Sequence, residues 1–422
     1  MNLAALARPR VTFLTFNVNG IGGIARIVIN VANALADTHD VEILSVLRTN
    51  RTSTFPIDER VRVETLYDAG AGGRKWRRNH PDDPRVAAAA AKAKDPVLRR
   101  EPKVNALIET RLREQLGSTS SDVVISTRPT LHHVAAEMTH GRVALIGWDH
   151  LNFPTRYGSE RLGQLLDDTL PRLDTWVTLT EQDRDDYLDR LGERSPRIQV
   201  MRNSSGWVAP DVRPPREGKV VVAAGRLQSR KGFDRAIEAW RPLAESHPDW
   251  QLRIYGSGAS QKDLQAQIDE AGLGDAVCLM GYHKDFQSVL ASAEIFLMTS
   301  RAEGFPMVLV EAMSQGTPIV SMDCPRGPAE IVRSGQNGEL VGNGDIAATT
   351  AALTKLLDDA ELRARMGEQA MKDSREYQMD VIAARWSSLI ADVAPGTTAG
   401  RAVRRAALAA RGLPKRVVRR GG

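Results

Sequence analysis

The stretch SRAEGFPMVLVEAMSQGTPIV, residues 300–320, places two glutamates, Glu303 and Glu311, eight residues apart. The preceding run EIFLMTS is short, mostly apolar and bounded by polar residues, which predicts a buried parallel strand. Pro306 suits the first position of a helix, and Gly316 suits its end. The pattern therefore predicts that Glu303 lies on a strand-to-helix loop, at the strand end where open α/β sheets bind ligands, and that Glu311 lies in the helix.

Length and composition describe an ordinary soluble protein. With 422 residues, the chain is long enough for roughly two or three domains. No apolar run approaches the roughly 20 residues that cross a bilayer, and Arg8 and Arg10 interrupt the apolar N-terminus before a signal-peptide core forms. Two cysteines, Cys278 and Cys324, are too few for a disulfide framework or a cysteine zinc site. We therefore expect a cytoplasmic protein.

The positive charge is concentrated in a C-terminal tail. Residues 394–422 hold eight basic residues and no acidic one, so the rest of the chain carries 5 − 8 = −3. A mildly acidic body argues against a nucleic-acid-binding surface. The tail is either a solvated end or a peripheral contact with anionic lipid on the inner face of the plasma membrane.

Strand candidates occur in two series, and longer helix-compatible segments separate them. The first series is VTFLTF, VEILSVL, RVRVETL, DVVIST, RVALIGW and TWVTLT; the second is KVVVAAGR, WQLRIYG, VCLMGY, EIFLMTS and TPIVSMD. This alternation predicts α/β architecture with two Rossmann-like, doubly wound parallel sheets. The predicted domains are 1–208 and 219–372, joined by a Pro-rich linker at 209–218 and followed by one long helix over 373–393 and the tail 394–422.

A segment at 68–105 interrupts the first series. It contains GRKWRRNHPDD and the low-complexity run AAAAAKAK, and it is rich in basic residues. Charge runs of this kind are usually solvated, so a partly helical surface insertion is one interpretation. The alternative is a flap that faces the acceptor or a membrane.

The second series opens with a loop that suits a diphosphate. In VVAAGRLQSRKGFDRAIEAW a strand ends near Gly225, a helix begins after Gly232, and the loop between them carries Arg226 and Lys231. Fixed positive charge combined with backbone N–H groups at a helix start is a phosphate-binding arrangement. Ordinary surface cations would give the same pattern, so the loop alone is weak evidence.

The motifs GRLQSRKG, YGSG, GYHKD and EGFPMVLVEA, in this order, resemble the nucleotide-sugar domain of glycosyltransferase family 4. Members of that family are retaining enzymes, and their fold, called GT-B, has two Rossmann-like domains that face a central cleft. Glu303 and Glu311 match its E-x7-E motif. The resemblance covers roughly residues 10 to 390.

The resemblance implies a role for each matching residue. Arg226 and Lys231 would bind the donor diphosphate, Glu311 the ribose and Glu303 the transferred sugar. The backbone N–H groups of Gly304, Phe305 and Met307, at the helix start, would bind sugar and phosphate. The loop that contains Tyr282 and His283 would lie beside the base.

In the first domain, the resemblance points to two loops. NVNGIGGIARIV is similar to the family's Gly-rich loop, so Gly22 and Gly23 would approach the donor phosphate or the acceptor. Arg26 departs from the pattern, since many relatives carry Glu there. GWDHLN is similar to the loop whose histidine faces the donor sugar, which assigns His150 an orienting role in catalysis. Asp149 and Asn152 are weaker candidates.

No metal or cofactor is predicted. TEQDRDD contains a D-x-D pattern that another glycosyltransferase class uses to bind a metal, but Thr180 with Asp183 is more typical of a capping box at a helix start.

DCPRGPAEIV, with Pro328 as a first helical residue, resembles a branch of the family that acts on cell-surface polymers such as teichoic acids or capsular glycans.

The sequence thus predicts a retaining, metal-independent glycosyltransferase. Its catalytic residues would be Arg226, Lys231, Glu303 and His150, and its substrates a nucleotide diphosphate sugar and a cell-surface glycan, polymer or lipid-linked acceptor. Two alternatives remain open: a sugar-nucleotide epimerase on the same fold, and a non-catalytic subunit that binds nucleotide sugars.

Overall fold

The structure, a computed structural model, describes residues 8–20, 22–69, 92–139, 141, 143–214, 216 and 218–394. The chain divides into two compact units. The first contains the described residues up to Thr178, Asp183–Met201 and those from Ala383 onward; the second contains Leu179–Gln182 and Arg202–Ile382. Most of the 68–105 segment and almost all of the basic tail lie outside the described residues, so the predictions for them remain predictions.

The first unit is built on a seven-stranded parallel sheet with the order β3-β2-β1-β4-β5-β6-β7. Its strands are β1 Arg10–Asn17, β2 Asp40–Arg48, β3 Arg62–Asp68, β4 Val123–Ser126, β5 Ala144–Trp148, β6 Thr175–Thr178 and β7 Arg197–Val200. The helices that connect them are α1 Gly23–Leu35, α2 Ala106–Ser118, α3 Pro129–Met138, α4 Phe153–Tyr157, α5 Glu160–Thr169 and α6 Glu181–Leu191.

The second unit has a six-stranded parallel sheet with the order β10-β9-β8-β11-β12-β13. Its strands are β8 Val220–Ala224, β9 Gln251–Tyr255, β10 Val277–Gly281, β11 Ile295–Met298, β12 Ile319–Asp323 and β13 Gly338–Gly342. The helices are α7 Phe233–Ser246, α8 Gln261–Glu270, α9 Phe286–Ser292, α10 Met307–Ser314, α11 Pro328–Ile331, α12 Ile346–Asp358 and α13 Ala360–Ser374. A last helix, α14 Met379–Val393, ends the described chain.

Each unit buries its own apolar core between sheet and helices. The central strands β4, β5 and β11 are buried along their whole length, as expected for parallel strands covered on both faces. Trp176 and Tyr187 are fully buried in the first core, and Trp240 in the second. Burying one large apolar side chain stabilises a fold by roughly 1.5–3 kcal/mol, so each core stabilises the packing of helices on its own sheet.

Both sheets reverse their strand order at one point, between β1 and β4 in the first unit and between β8 and β11 in the second. In an open parallel sheet, loops that leave neighbouring strands at such a switch point diverge and leave a crevice at the carboxyl edge. The loop after β8 carries Arg226 and Lys231, and the loop after β11 carries Glu303. The topology therefore brings these loops together.

The prediction of two Rossmann-like parallel sheets is confirmed, since each predicted strand overlaps one of β1–β6 or β8–β12. The predicted helix over 373–393 is present but begins six residues later than predicted, at Met379. Helix α13 ends at Ser374, a 3-10 turn follows at Arg375–Tyr377, and α14 begins at Met379. The turn places the Tyr377 ring inside the second unit, with its centroid 6.0 Å from that of Phe305, and burial of this ring favours the break.

Among the described helices, none has both the length and the apolarity required to cross a membrane.

Candidate functional site

The loop after β8 passes through a 3-10 turn at Ser229–Lys231 and reaches Gly232, which caps α7. Gly232 has φ +68°, and a Cβ atom there would lie 2.0 Å from the Thr299 carbonyl oxygen. The Thr299 hydroxyl donates to the Gly232 carbonyl at 2.8 Å. Only glycine fits this approach, and it fixes the loop that carries Lys231 against the end of β11.

The YGSG motif after β9 packs backbone against the same loop. A Cβ atom on Gly256 would lie 1.9 Å from the Gly225 carbonyl oxygen, and one on Gly258 would lie 2.2 Å from that of Leu227. The Leu227 N–H donates to the Ser257 carbonyl at 3.0 Å. The glycines that carry the sequence resemblance therefore hold two neighbouring loops in backbone contact.

Lys231 and Glu303 form an ion pair at the switch point. The Lys231 Nζ atom lies 2.6 Å from Glu303 Oε1, and the Ser300 hydroxyl donates to the same oxygen at 2.6 Å. Glu303 is 5% exposed, so this carboxylate is buried among hydrogen-bond donors. The sequence alone does not show this pair, because its members are 72 positions apart in the chain.

The backbone of Glu303 is bound to the loop after β12. Its N–H donates to the Pro325 carbonyl at 2.8 Å, and its carbonyl accepts from the Arg326 N–H at 2.9 Å. These reciprocal bonds join the EGFP loop to the DCPRG loop. The DCPRG segment thus supports the position of Glu303.

Helix α10 begins at Met307, one residue after the predicted first position at Pro306. The Met307 N–H donates to the Phe305 carbonyl at 2.9 Å, so it is engaged within its own loop. Gly304 and Phe305 precede it, and Phe305 is buried. Glu311 lies in α10 and is 7% exposed.

The other predicted donor residues of this unit lie at the surface. Arg226 is exposed and makes no hydrogen bond or ion pair with the residues that the structure describes. Tyr282 is 79% exposed at the end of β10. His283 donates its Nδ1–H to the Asp285 carbonyl at 2.8 Å, and its ring meets that of Tyr255 edge-on at 6.1 Å. These side chains lie on the loops after β8 and β10.

Two residues near Glu303 were not predicted as site residues. Ser300 is 1% exposed and holds the carboxylate, as described above. Burial and the nearby Glu303 charge raise the pKa of the Cys324 thiol to about 12, so this thiol stays protonated at neutral pH. For Ser300, the only signal in the sequence is its position three residues before Glu303. For Cys324, the sequence gives no signal.

In the first unit, Gly22 caps α1 and Gly23 is its first residue. Both are exposed, and among the described residues a Cβ atom on either would meet nothing within 4 Å. No described side chain caps this helix start, and the Arg26 N–H donates to the Gly22 carbonyl at 3.3 Å. The positive end of a helix favours a bound anion, which is consistent with the phosphate role that the resemblance implies for these glycines.

His150 follows β5 and is 8% exposed. Its backbone N–H donates to Asp149 Oδ1 at 2.8 Å, and its ring lies 4.5 Å from that of Trp148. Within the described ranges, neither ring nitrogen has a hydrogen-bond partner. The ring of Trp386 in α14 packs on Trp148 at 4.8 Å, so the last helix supports this strand end.

A buried network fixes the loop that carries His150. Asp149 Oδ1 accepts from Arg156 Nε at 2.9 Å, and Asp149 Oδ2 accepts from the Tyr187 hydroxyl at 3.1 Å. Burial opposes ionisation of Asp149, but the Arg156 guanidinium outweighs it and lowers the pKa of that carboxyl. Burial lowers the pKa of His150 to about 4, so the imidazole is neutral at pH 7.

The acidic residues of TEQDRDD lie at the start of α6. Asp183 is buried, and its Oδ1 accepts from the Phe153 N–H at 2.8 Å. The described part of the chain holds no group of three or more His, Cys, Asp or Glu side chains placed to bind a metal ion.

Comparison with known proteins finds a family model that matches the part of the chain containing these loops. Residues 209–373, which include Lys231, Glu303 and Glu311, match the model "Glycosyl transferases group 1".

Two relatives match most of the chain. An exopolysaccharide phosphotransferase of Streptomyces coelicolor is 32% identical over 390 residues, which are 91% of this chain and 41% of that protein. An uncharacterized glycosyltransferase of Haemophilus influenzae is 26% identical over 385 residues, which are 90% of this chain and 99% of the relative. The chain thus spans less than half of the first relative and nearly all of the second.

Two solved structures share the fold. The apo form of the lipopolysaccharide outer core galactosyltransferase WaaB has a TM-score of 0.68 at 20% identity, covering 91% of this chain and 99% of its own. Anabaena HepE in complex with UDP has a TM-score of 0.69 at 18% identity, covering 91% and 100%. The predicted GT-B fold is confirmed at the level of two Rossmann-like parallel-sheet units.

Proposed function

We propose that the protein is a retaining, metal-independent glycosyltransferase of family 4, which transfers a sugar from a nucleotide diphosphate donor to a cell-surface glycan or polymer. The observation that carries the proposal is the Lys231–Glu303 pair, 2.6 Å apart at the switch point of the second sheet. A cation for phosphate and a carboxylate for sugar hydroxyls stand side by side where such sheets bind ligands.

In this proposal, Arg226 and Lys231 bind the diphosphate, and Gly304, Phe305 and Met307 line its approach to α10. Glu311 accepts hydrogen bonds from the ribose and Glu303 from the transferred sugar. Tyr282 and His283 border the base, while Gly22 and Gly23 of the first unit approach phosphate or acceptor. The UDP bound in the HepE structure supports a nucleotide diphosphate as the ligand class.

The reaction breaks the bond between the anomeric carbon and the diphosphate and forms a bond to the acceptor oxygen on the same face. The acceptor proton passes to the leaving phosphate, so the products are a glycosylated acceptor and a nucleoside diphosphate. Arg226 and Lys231 would stabilise the charge that develops on the leaving group, which is the role that a metal has in other transferases. A neutral His150 would orient the sugar by hydrogen bonding rather than act as an obligatory base.

The names of the relatives support a polymer acceptor. The Streptomyces relative is an exopolysaccharide phosphotransferase, and WaaB acts on the lipopolysaccharide outer core. We therefore place the acceptor among surface glycans and lipid-linked polymers.

The test is incubation with a panel of nucleotide sugars, with and without lipid-linked glycan acceptors, in the presence and absence of a chelator. We expect acceptor-dependent release of nucleoside diphosphate, a product with the donor's anomeric configuration by NMR, and no effect of the chelator. Turnover of the donor to a new sugar nucleotide without acceptor would indicate an epimerase. Loss of all activity on chelation would contradict metal independence.

A further inference from the structure

We propose that Ser300 is a positioning residue for Glu303, which holds the carboxylate in place when Lys231 turns to the donor diphosphate. The inference rests on the proposed function and assigns a role to a residue outside the E-x7-E motif. Ser300 donates its hydroxyl to Glu303 Oε1 at 2.6 Å, and a carboxylate can only accept in this bond.

Ser300 and Lys231 donate to the same oxygen, Glu303 Oε1, but their side chains differ in conformational freedom. Ser300 is 1% exposed and lies two residues after β11, so its hydroxyl is fixed by the strand end. The Lys231 side chain is 22% exposed and reaches Glu303 through a flexible four-carbon stem. A phosphate that enters the site would attract the lysine and not the serine.

Glu303 needs a donor at that moment because its side chain is 7% exposed. A buried carboxylate that loses a partner is destabilised and would seek a new position. The Ser300 bond keeps Oε1 in place, while the reciprocal backbone bonds with Pro325 and Arg326 keep the loop in place. The Glu303 carboxylate would then keep its position toward the sugar after Lys231 has moved to the phosphate.

This role predicts a defect in turnover rather than in nucleotide binding. Removing one hydrogen bond to a charged group should lower kcat by about 10- to 100-fold in Ser300→Ala. Affinity for nucleoside diphosphate, measured by calorimetry, should stay within about twofold, because Ser300 does not contact the phosphate in this scheme.

Two further variants separate the hydrogen bond from packing. Ser300→Cys keeps the volume of the side chain but replaces the hydroxyl with a weak donor, so kcat should fall as it does in Ser300→Ala. Ser321→Ala is the matched control, because Ser321 is also fully buried on the next strand and donates its hydroxyl to the Met322 carbonyl rather than to a carboxylate. Ser321→Ala should keep the wild-type kcat.

The experiment measures kcat, donor KM, diphosphate affinity and Tm for the wild type and the three variants with the best donor of the panel. Wild-type kcat in either Ser300→Ala or Ser300→Cys would overturn the positioning role. Equal kcat losses in Ser300→Ala and Ser321→Ala would also overturn it and point to general packing. If the wild type itself turns over no donor, the proposed function fails instead, and the two failures are distinguished.

Discussion

The two glutamates of the E-x7-E motif occupy different settings. Glu303 lies on a loop and is bound by Lys231 and Ser300, whereas Glu311 lies within α10. A residue that binds the ribose acts on ground and transition states alike, so Glu311→Ala should raise the donor KM more than it lowers kcat. Glu303→Gln should cut kcat and leave diphosphate affinity nearly intact, since its bonds hold the sugar as positive charge develops. Steady-state kinetics and calorimetry would compare the two variants. Equal losses of diphosphate affinity in both would indicate that Glu303 only stabilises the loop.

Arg226 and Lys231 should act by stabilising the negative charge that develops on the leaving diphosphate. Arg226→Ala and Lys231→Ala should each lower kcat by about 10²–10³-fold, the usual effect of removing one preorganised donor to developing charge. Lys355→Ala is a matched control for Lys231→Ala, because Lys355 makes an ion pair of the same 2.6 Å length with Glu339 elsewhere in the unit. Nucleoside diphosphate release is the measurement. A fall in kcat as large in Lys355→Ala as in Lys231→Ala would contradict the assignment.

His150 should affect stability in a defined pH range. Burial lowers its pKa to about 4, so between about pH 4 and its ordinary value near 6.5 the unfolded chain binds a proton that the folded chain does not. Stability from neutral His150 is therefore complete above pH 6.5 and is lost as pH falls toward 4, at up to about 1.4 kcal/mol per pH unit. Urea unfolding at pH 7.5, 6.5, 5.5 and 4.5 should show a shallower decline in His150→Gln than in the wild type. If the unfolding free energy falls equally with pH in the wild type and in His150→Gln, His150 binds its proton equally well in the folded and unfolded chains.

At the scale of elements, the sequence predicts every inner strand of both sheets but only two of the four edge strands, β3 and β10. Strands β7 and β13 were not predicted, and both lie at the edges of their sheets. RIQV in β7 has no fully buried residue, and GELVG in β13 is short and flanked by glycines, so neither shows a strong apolar pattern. The break at Arg375–Tyr377 was also missed, because it depends on where the Tyr377 ring packs and not on a helix-breaking residue.

The start of α7 provides a test of the Gly-rich loop as an element. Gly232→Ala would force φ +68° on alanine and place its Cβ 2.0 Å from the Thr299 carbonyl oxygen. Gly272→Ala is the matched control, because Gly272 has φ +66° and a Cβ atom there would meet none of the described residues within 4 Å. The control should lose about 1–2 kcal/mol of unfolding free energy from backbone strain alone. Gly232→Ala should lose more and should also weaken diphosphate binding. Equal unfolding free energies in the two variants would show that the loop can shift without cost.

At the scale of the molecule, both units repeat one plan, a parallel sheet with a single reversal of strand order. Alternating strand and helix patterns are local, so the sequence was sufficient to predict this plan. The Lys231–Glu303–Ser300 cluster was only partly predictable. The sequence pointed to Lys231 and Glu303 through their loops, but their mutual contact depends on β8 and β11 being neighbours, and strand order has no local signal.

The basic tail, residues 394–422, determines the net charge of the whole chain. Residues 394–422 carry eight basic residues and no acidic one, and each basic residue near an anionic bilayer contributes roughly 1 kcal/mol of attraction, which salt screens. Deleting residues 396–422 should therefore abolish sedimentation with vesicles that contain anionic lipid at low salt, and wild-type binding should fall as salt is raised. Turnover of a soluble acceptor should not change, because the donor loops of the second unit remain intact. Vesicle binding that survives the deletion would place the membrane contact elsewhere, with the 68–105 segment as the next basic stretch to remove.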